Sequence, residues 1–200
     1  GILASQNSKP LLIDCSTIDV QTARDVATKA KAFELLMLDS PVSGGMMGAE
    51  AGTLTIMVGG DTVGVAKAQA IFEIMGKNII HAGASGNGQV AKVCNNMILG
   101  ISMIGVSEAF VLAEKLGLDH QKLYEISSTA SGQCWSLTSY CPVPGPVPTS
   151  PANNDYKAGF TADMMLKDLD LSQEAATSCG LTTPLGAKAR DLYKSFKEAG

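Results

Sequence analysis

GNGQVAKVCNN, residues 86–96, marks the point where the chain changes character. Two glycines close one pattern, and a lysine and two asparagines head an otherwise apolar segment. Upstream, from Pro10 to Gly83, strand-like and helix-like runs alternate. PLLIDCST reads as a buried strand and DVQTARDVATKAKAFE as a helix with Asp19 as its N-cap. LLMLDSPVSGG and GTLTIMVGG read as further strands, DTVGVAKAQAIFEIMG as a second helix, and NIIHAG as a last strand. Strand and helix in turn predict an α/β sheet layer. Downstream of Gly88 nothing strand-like recurs. Gln89 to Leu116 is apolar all round, and helices follow from Asp119 to about Thr129 and from Thr161 to about Cys179. The last begins at Thr183-Pro184, a capping residue before a first-turn proline. Between these helices, Pro142, Pro144, Pro146, Pro148 and Pro151 forbid helix and mark an irregular excursion. The expected organisation is α/β over residues 1–85 and all-helical over residues 86–200.

Two other readings of the junction are rejected. Gly86-Asn87-Gly88-Gln89-Val90-Ala91 fits G-x-G-x-x-A and has Glu108 about 20 positions on, as a dinucleotide fingerprint would. A fingerprint needs its acidic residue at the end of a second strand, whereas Glu108 falls in the same long helix. A plain strand-to-helix junction is expected instead. Met97 to Val106, flanked by Asn95, Asn96 and Glu108, is too short to cross a bilayer, which takes roughly 20 residues, and reads as a buried core helix.

Lys92 falls in the first turn of the predicted helix, with Asn96 one turn on along the same face and Asn95 beside it. A lysine there opposes the positive end of the helix dipole, and Val90, Val93 and Met97 would withhold water from it; both effects favour the neutral amine. A lysine near a helix end also snorkels to solvent readily. Buried amides, however, cost free energy unless hydrogen-bonded. A polar site and a solvated helix start both stay open on local grounds. Ser43-Gly44-Gly45 can form a nest of backbone N–H groups that suits a carboxylate, or an ordinary turn. Thr17, after the first strand, stands where ligands of open α/β sheets gather, or caps the next helix. Lys167 can pair with Asp163 one turn before it.

Composition limits the partners. The chain has 200 residues, a net charge of -4 and 46% hydrophobic residues, enough for one or two domains with a core. Without a basic excess there is no electrostatic reason to expect nucleic acid or an anionic membrane. Cys15, Cys94, Cys134, Cys141 and Cys179 are dispersed, with only His81 and His120 to help them, so a reduced, intracellular, metal-free protein is expected. Residue 1 is glycine and no targeting segment is visible, so the chain is expected to be a piece of a longer protein.

Together, DSPVSGG (39–45), GTLTIMVGG (52–60), GNGQVAKVCNN (86–96) and KDLDLS (167–172) resemble, in order and spacing, the motifs of the β-hydroxyacid dehydrogenases. The branch acting on 3-hydroxyisobutyrate also shares CWS (134–136), PVPG (142–145) and ANN (152–154). The resemblance covers nearly the whole chain. It implies the C-terminal part of a Rossmann-like domain, a long connecting helix, and a helical domain that dimerises. It implies NAD as cofactor, a small 3-hydroxy acid as substrate, a homo-oligomer, and the mitochondrial matrix as compartment. Lys92 corresponds to the catalytic lysine that takes the substrate's hydroxyl proton, and Asn96 to the asparagine holding the reacting oxygen. Ser43, Gly44 and Gly45 correspond to the carboxylate-binding loop, and Thr17 and Lys167 to cofactor contacts. Sister activities on tartronate or succinic semialdehyde, and a catalytically silent dimerisation module, are the rival readings.

The chain departs from the family pattern in three ways. The G-x-G-x-x-G half of the nucleotide fold has no counterpart here, so the polypeptide alone is expected to bind NAD poorly and turn over little. Gln133 stands where arginine is expected in close relatives and Cys141 where asparagine is expected, both in the anticipated pocket region.

Overall fold

The computed structural model describes residues 9–157 and 159–199. It divides into two compact units: residues up to Asn95 together with Glu174–Leu181, and Asn96–Gln173 together with residues from Thr182 on.

Among the described residues, the first unit is built on a five-stranded sheet. β1 (Leu12–Asp14) runs parallel to β2 (Met37–Asp39), with Asp14 beside Asp39. β4 (Leu54–Gly60) lies antiparallel to β2 and to β3 (Val42–Ser43), and parallel to β5 (Gly76–Gly83). LLMLDSPVSGG is therefore not the single strand its composition suggests. Pro41 has no N–H to donate to a ladder, so the run breaks there into β2 and β3, and its carbonyl instead accepts from the Met57 amide at 3.0 Å. The run ends in α2 (Gly45–Glu50), a helix too short to leave a periodic trace.

α1 (Val20–Ala32) starts at Asp19, whose carboxylate accepts from the Thr22 amide. α3 (Thr62–Met75) starts likewise at Asp61. Gly64, Ala68 and Phe72, spaced at one-turn intervals, form the buried stripe of α3. Phe72 packs with Leu38, Leu54, Ile56, Val58 and Ala68 into the sheet's core, where a side chain of its size contributes about 1.5–3 kcal/mol.

α4 (Asn87–Lys115) opens in the first unit and continues into the second. Its length corrects one expectation: at 29 residues, with an 18-residue window of mean hydropathy 1.7, it is long and apolar enough to cross a bilayer. Nor is it a fully buried core helix, since Ile98 is 66% exposed and 22% of its most apolar window is buried.

The second unit is helical. α5 (His120–Ser127) is capped by Asp119, α6 (Trp135–Thr138) is a single turn, and α7 (Ala162–Ser178) and α8 (Pro184–Ala199) complete it. α4 and α7 approach closely at Gly100, where an added Cβ would lie 3.0 Å from Leu169 Cδ2. Met165, Leu169 and Ala189 form one core there, and Phe110, Leu137, Cys141 and Val147 another. The proline excursion is ordered by side chain-to-backbone bonds. Asn153 accepts from the Gly145 amide and donates to Val147 O, both at 2.8 Å, and Ser150 Oγ donates to Cys141 O at 2.6 Å.

Candidate active site

The start of α4 carries the first group of polar side chains. Gly86, just before the helix, has no side chain to cap it, so the orphan N–H groups of the first turn need a partner from elsewhere. Asp39, at the end of β2, supplies it: Oδ1 accepts from the Gly86 amide at 2.7 Å and Oδ2 from the Gln89 amide at 3.1 Å. Asp39 is 3% exposed. Two glycines make room for it. A Cβ on Gly59 would lie 2.5 Å from Asp39 Oδ1, and one on Gly88 would lie 2.4 Å from both Asp39 O and Met57 O. The G-x-G-x-x-A pattern is thus explained without a nucleotide, because a carboxylate of the protein occupies the anion position at this helix N-terminus.

Gln89 is fully buried and bridges to the loop after β1. Its Oε1 accepts from the Ile18 amide at 3.2 Å and its Nε2 donates to Ser16 O at 2.8 Å, which brackets Thr17. Cys15, in the same loop, has its thiol pushed up first by burial and then by the charge of Asp14, which disfavours a thiolate nucleophile.

Lys92, in the next turn of α4, is 8% exposed and donates from Nζ to Val42 O at 2.8 Å. The snorkelling alternative is therefore not adopted. Val42 immediately precedes Ser43, and the chain then turns through Gly44 (φ 140°) and Gly45 (φ 62°) into α2. No side chain caps α2 at Gly44, and a Cβ on Gly45 would meet nothing within 4 Å. Ser43, Gly44 and Gly45 thus offer a hydroxyl and open backbone near the carbonyl that holds the amine.

In the second unit Asn96 is 1% exposed and donates from Nδ2 to Asp168 Oδ2 at 2.5 Å. Asp168 is itself buried, and the Lys167 ammonium stands 3.1 Å from its other oxygen, Oδ1. Lys167 does not pair with Asp163, which instead meets Lys197 at 2.7 Å. Sequence reasoning passed over Asp168, although its signal was available: an acid next to a candidate site lysine, one residue before the buried Leu169. Cys141 is fully buried in the Phe110–Leu137–Val147 cluster, and burial pushes its thiol up. Gln133 is exposed, its Nε2 3.5 Å from Thr138 Oγ1.

Among the described residues no group of three or more His, Cys, Asp or Glu side chains could hold a metal ion. Thr17, in the loop after β1 of the first unit, offers a hydroxyl, and Lys167, on α7 of the second unit, an ammonium. The glycine-rich start of α4, filled by Asp39, does not fit a pyrophosphate.

Residues 86–200 match a family model described as the NAD-binding region of NADP-dependent 3-hydroxyisobutyrate dehydrogenase. Residues 1–83 match one described as the NAD binding domain of 6-phosphogluconate dehydrogenase. The chain is 51% identical to a 3-hydroxyisobutyrate dehydrogenase of Pseudomonas aeruginosa, covering 100% of this chain and 67% of the relative. It is 48% identical to an NAD-dependent L-serine dehydrogenase of the same organism, with the same coverage. A solved structure of Mycobacterium tuberculosis 3-hydroxyisobutyrate dehydrogenase with L-serine superposes with a TM-score of 0.92 at 52% identity, over 97% of this chain and 67% of that one. The chain spans about two thirds of the length of the curated relatives it matches, 66% for the Mycobacterium bovis one. With two family models covering it nearly end to end and about half of its residues identical to those relatives, the chain belongs to the β-hydroxyacid dehydrogenase family.

Proposed function

We propose that the protein carrying this chain is an NAD-dependent dehydrogenase of small 3-hydroxy acids, oxidising 3-hydroxyisobutyrate to methylmalonate semialdehyde in valine breakdown. One observation carries the reading: a buried amine, Lys92, held at 2.8 Å by the carbonyl that precedes Ser43-Gly44-Gly45. This puts a proton acceptor next to a loop suited to a carboxylate, which are the two things a hydroxy acid needs.

Ser43 and the backbone of Gly44 and Gly45 take the substrate carboxylate. Lys92, as the neutral amine, accepts the hydroxyl proton during oxidation and returns it during reduction. Asn96, one turn further along α4, holds the reacting oxygen; Asp168 accepts one of its amide hydrogens and so sets which amide atom is presented. Bound nicotinamide supplies the acceptor for the hydride leaving the carbinol carbon. Thr17 and Lys167 are the cofactor contacts. Replacing Lys92 with alanine in the protein carrying this chain lowers kcat by about 10²–10⁴-fold. Turnover near the normal rate would refute the assignment.

L-Serine is the second reading, favoured by the relative named for it and by the Mycobacterium structure that contains it. Comparing kcat/KM for L-serine and 3-hydroxyisobutyrate, and for reduction of tartronate and succinic semialdehydes, decides among them. The silent-module reading is disfavoured by the presence of Lys92.

Exposed Val111, Leu112, Leu116 and Phe196 on the helical unit fit a homo-oligomer, which light scattering measures. The long apolar α4 is read as the family's connecting helix, with no bilayer as partner, and the net charge of -4 argues against nucleic acid. The mitochondrial matrix fits relatives from eukaryotes whose names carry that compartment, although bacterial relatives are as similar.

A further inference from the structure

We infer that Asp39 is a positioning residue for Lys92, holding the first turn of α4 in the one placement that delivers the amine beside Ser43. The inference rests on the reading of Lys92 as the base. Asp39 touches main-chain donors with both of its oxygens, so its own role is not proton transfer.

The argument starts from what two bonds to one helix turn can do. Gly86 and Gln89 are three residues apart, close to one turn. A rigid carboxylate bonded to both amides holds the helix against sliding along its axis and against rolling about it, since either motion breaks a bond. The carboxylate is itself immobile. Asp39 pairs with Asp14 of β1 and Gly59 of β4, so its backbone is held on both sides by the sheet. Its side chain is enclosed by Gly59 and Gly88, where even a methyl group would collide with it.

Lys92 follows Gln89 by three residues, and Gln89 is held a second time by the main chain at Ser16 and Ile18. Sheet, carboxylate, first turn and amine thus form one rigid path ending at Val42 O. A one-residue slip of the helix would turn the lysine by about 100° and move it by about 1.5 Å. Aspartate is specifically suited to the task. Both incoming groups are donors, so an amide of the same shape would point its NH2 at one of them and keep only one anchor.

The test uses Asp39→Asn in the protein carrying this chain, assayed well below its melting temperature. Expected is a fall in kcat on the order of 10–100-fold, since small displacements of a reacting group are costly. KM for cofactor and hydroxy acid should change by less than about threefold, because neither is touched. The deuterium isotope effect on kcat, measured with substrate labelled at the carbinol carbon, should rise as chemistry becomes more limiting. The Gly86 and Gln89 amides should lose hydrogen-exchange protection. Asp39→Ser, a smaller side chain with a single acceptor, is the second variant and should repeat the pattern if the first folds poorly.

A kcat within about twofold of normal, or a loss carried by KM with an unchanged isotope effect, overturns the inference. Lys92→Ala measured alongside separates the two levels. Persistent turnover there sinks the base assignment itself, whereas its loss together with an unaffected Asp39→Asn sinks the positioning role alone.

Discussion

Helices α1 and α4 start by opposite means. The carboxylate of Asp19, next to α1, accepts from the Thr22 amide at 2.7 Å, three residues away. α3 and α5 start the same way, with Asp61 bonded to the Val63 amide and Asp119 to the Lys122 amide. α4 is capped instead by a carboxylate 47 residues before Gly86 and 50 before Gln89. A local cap settles where along the chain a helix begins. A remote cap also settles where in space it begins, because the capping residue belongs to another element. The helix that carries the proposed base has the remote kind; the helices capped by Asp19, Asp61 and Asp119 contribute no residue to the proposed site, while α7, which bears Lys167, is capped locally by Thr161 Oγ1, 3.2 Å from the Met164 amide.

If this contrast is sound, damage at the α4 start should exceed damage at the local caps. Gly88→Ala has the largest expected effect. Its Cβ would sit 2.4 Å from two backbone carbonyls that cannot swing aside, so unfolding stability should fall by about 3 kcal/mol or more, read from the urea midpoint. A loss below that of a local cap would break the comparison.

Gly86→Ala comes next. At φ 87° an alanine is strained by about 1–2 kcal/mol, while the Arg24 side chain it meets is flexible and can move. The same denaturation measurement checks it.

Asp119→Ala should cost about 1 kcal/mol, the usual value of a local cap, and leave the isotope effect on turnover unchanged. An altered isotope effect would blur the distinction between the two kinds of helix start.

The smallest effect is a pH dependence at Asp19. Its hydrogen bonds to Thr22 are the main reason that its carboxyl lies below the ordinary value of 3.8. Because the folded value is depressed, the stabilisation is fully present above the unfolded value and is lost as pH falls through the folded one. The melting difference between the protein and Asp19→Ala should therefore be constant from neutral pH down to mildly acidic conditions and shrink as the pH drops below about 3.8. A difference that persists at pH 2 would assign the effect to packing instead.

The readings that held from sequence were those whose causes lie within a few residues. The helices after Asp19, Asp119 and Thr183-Pro184, the strands in GTLTIMVGG and NIIHAG, and the all-helical second half each follow from spacing, caps and composition. The break at Pro41 was in principle visible, but β-rich residues on both sides masked it, and the pairing of β3 with β4 gives those two residues their strand geometry. α2 and α6, of 6 and 4 residues, span less than two helical turns, too few for a hydrophobic pattern to repeat. Within the candidate site, Lys92 and Asn96 were legible as residue types in an unusual place, but not their burial. Asp39 stood in a quoted motif and Asp168 in another, and neither was singled out, because their partners are about 50 or more residues away.

Periodicity and short-range hydrogen bonding were enough to establish which segments are helix and which are strand, and where the α/β pattern gives way to helices, since those preferences act between near neighbours. Whether the lysine faces solvent or a carbonyl, and which acid meets which amide, depended on the packing of segments distant in the chain. Desolvation and geometry at a buried polar group are properties of everything around it, so only the folded chain decided them.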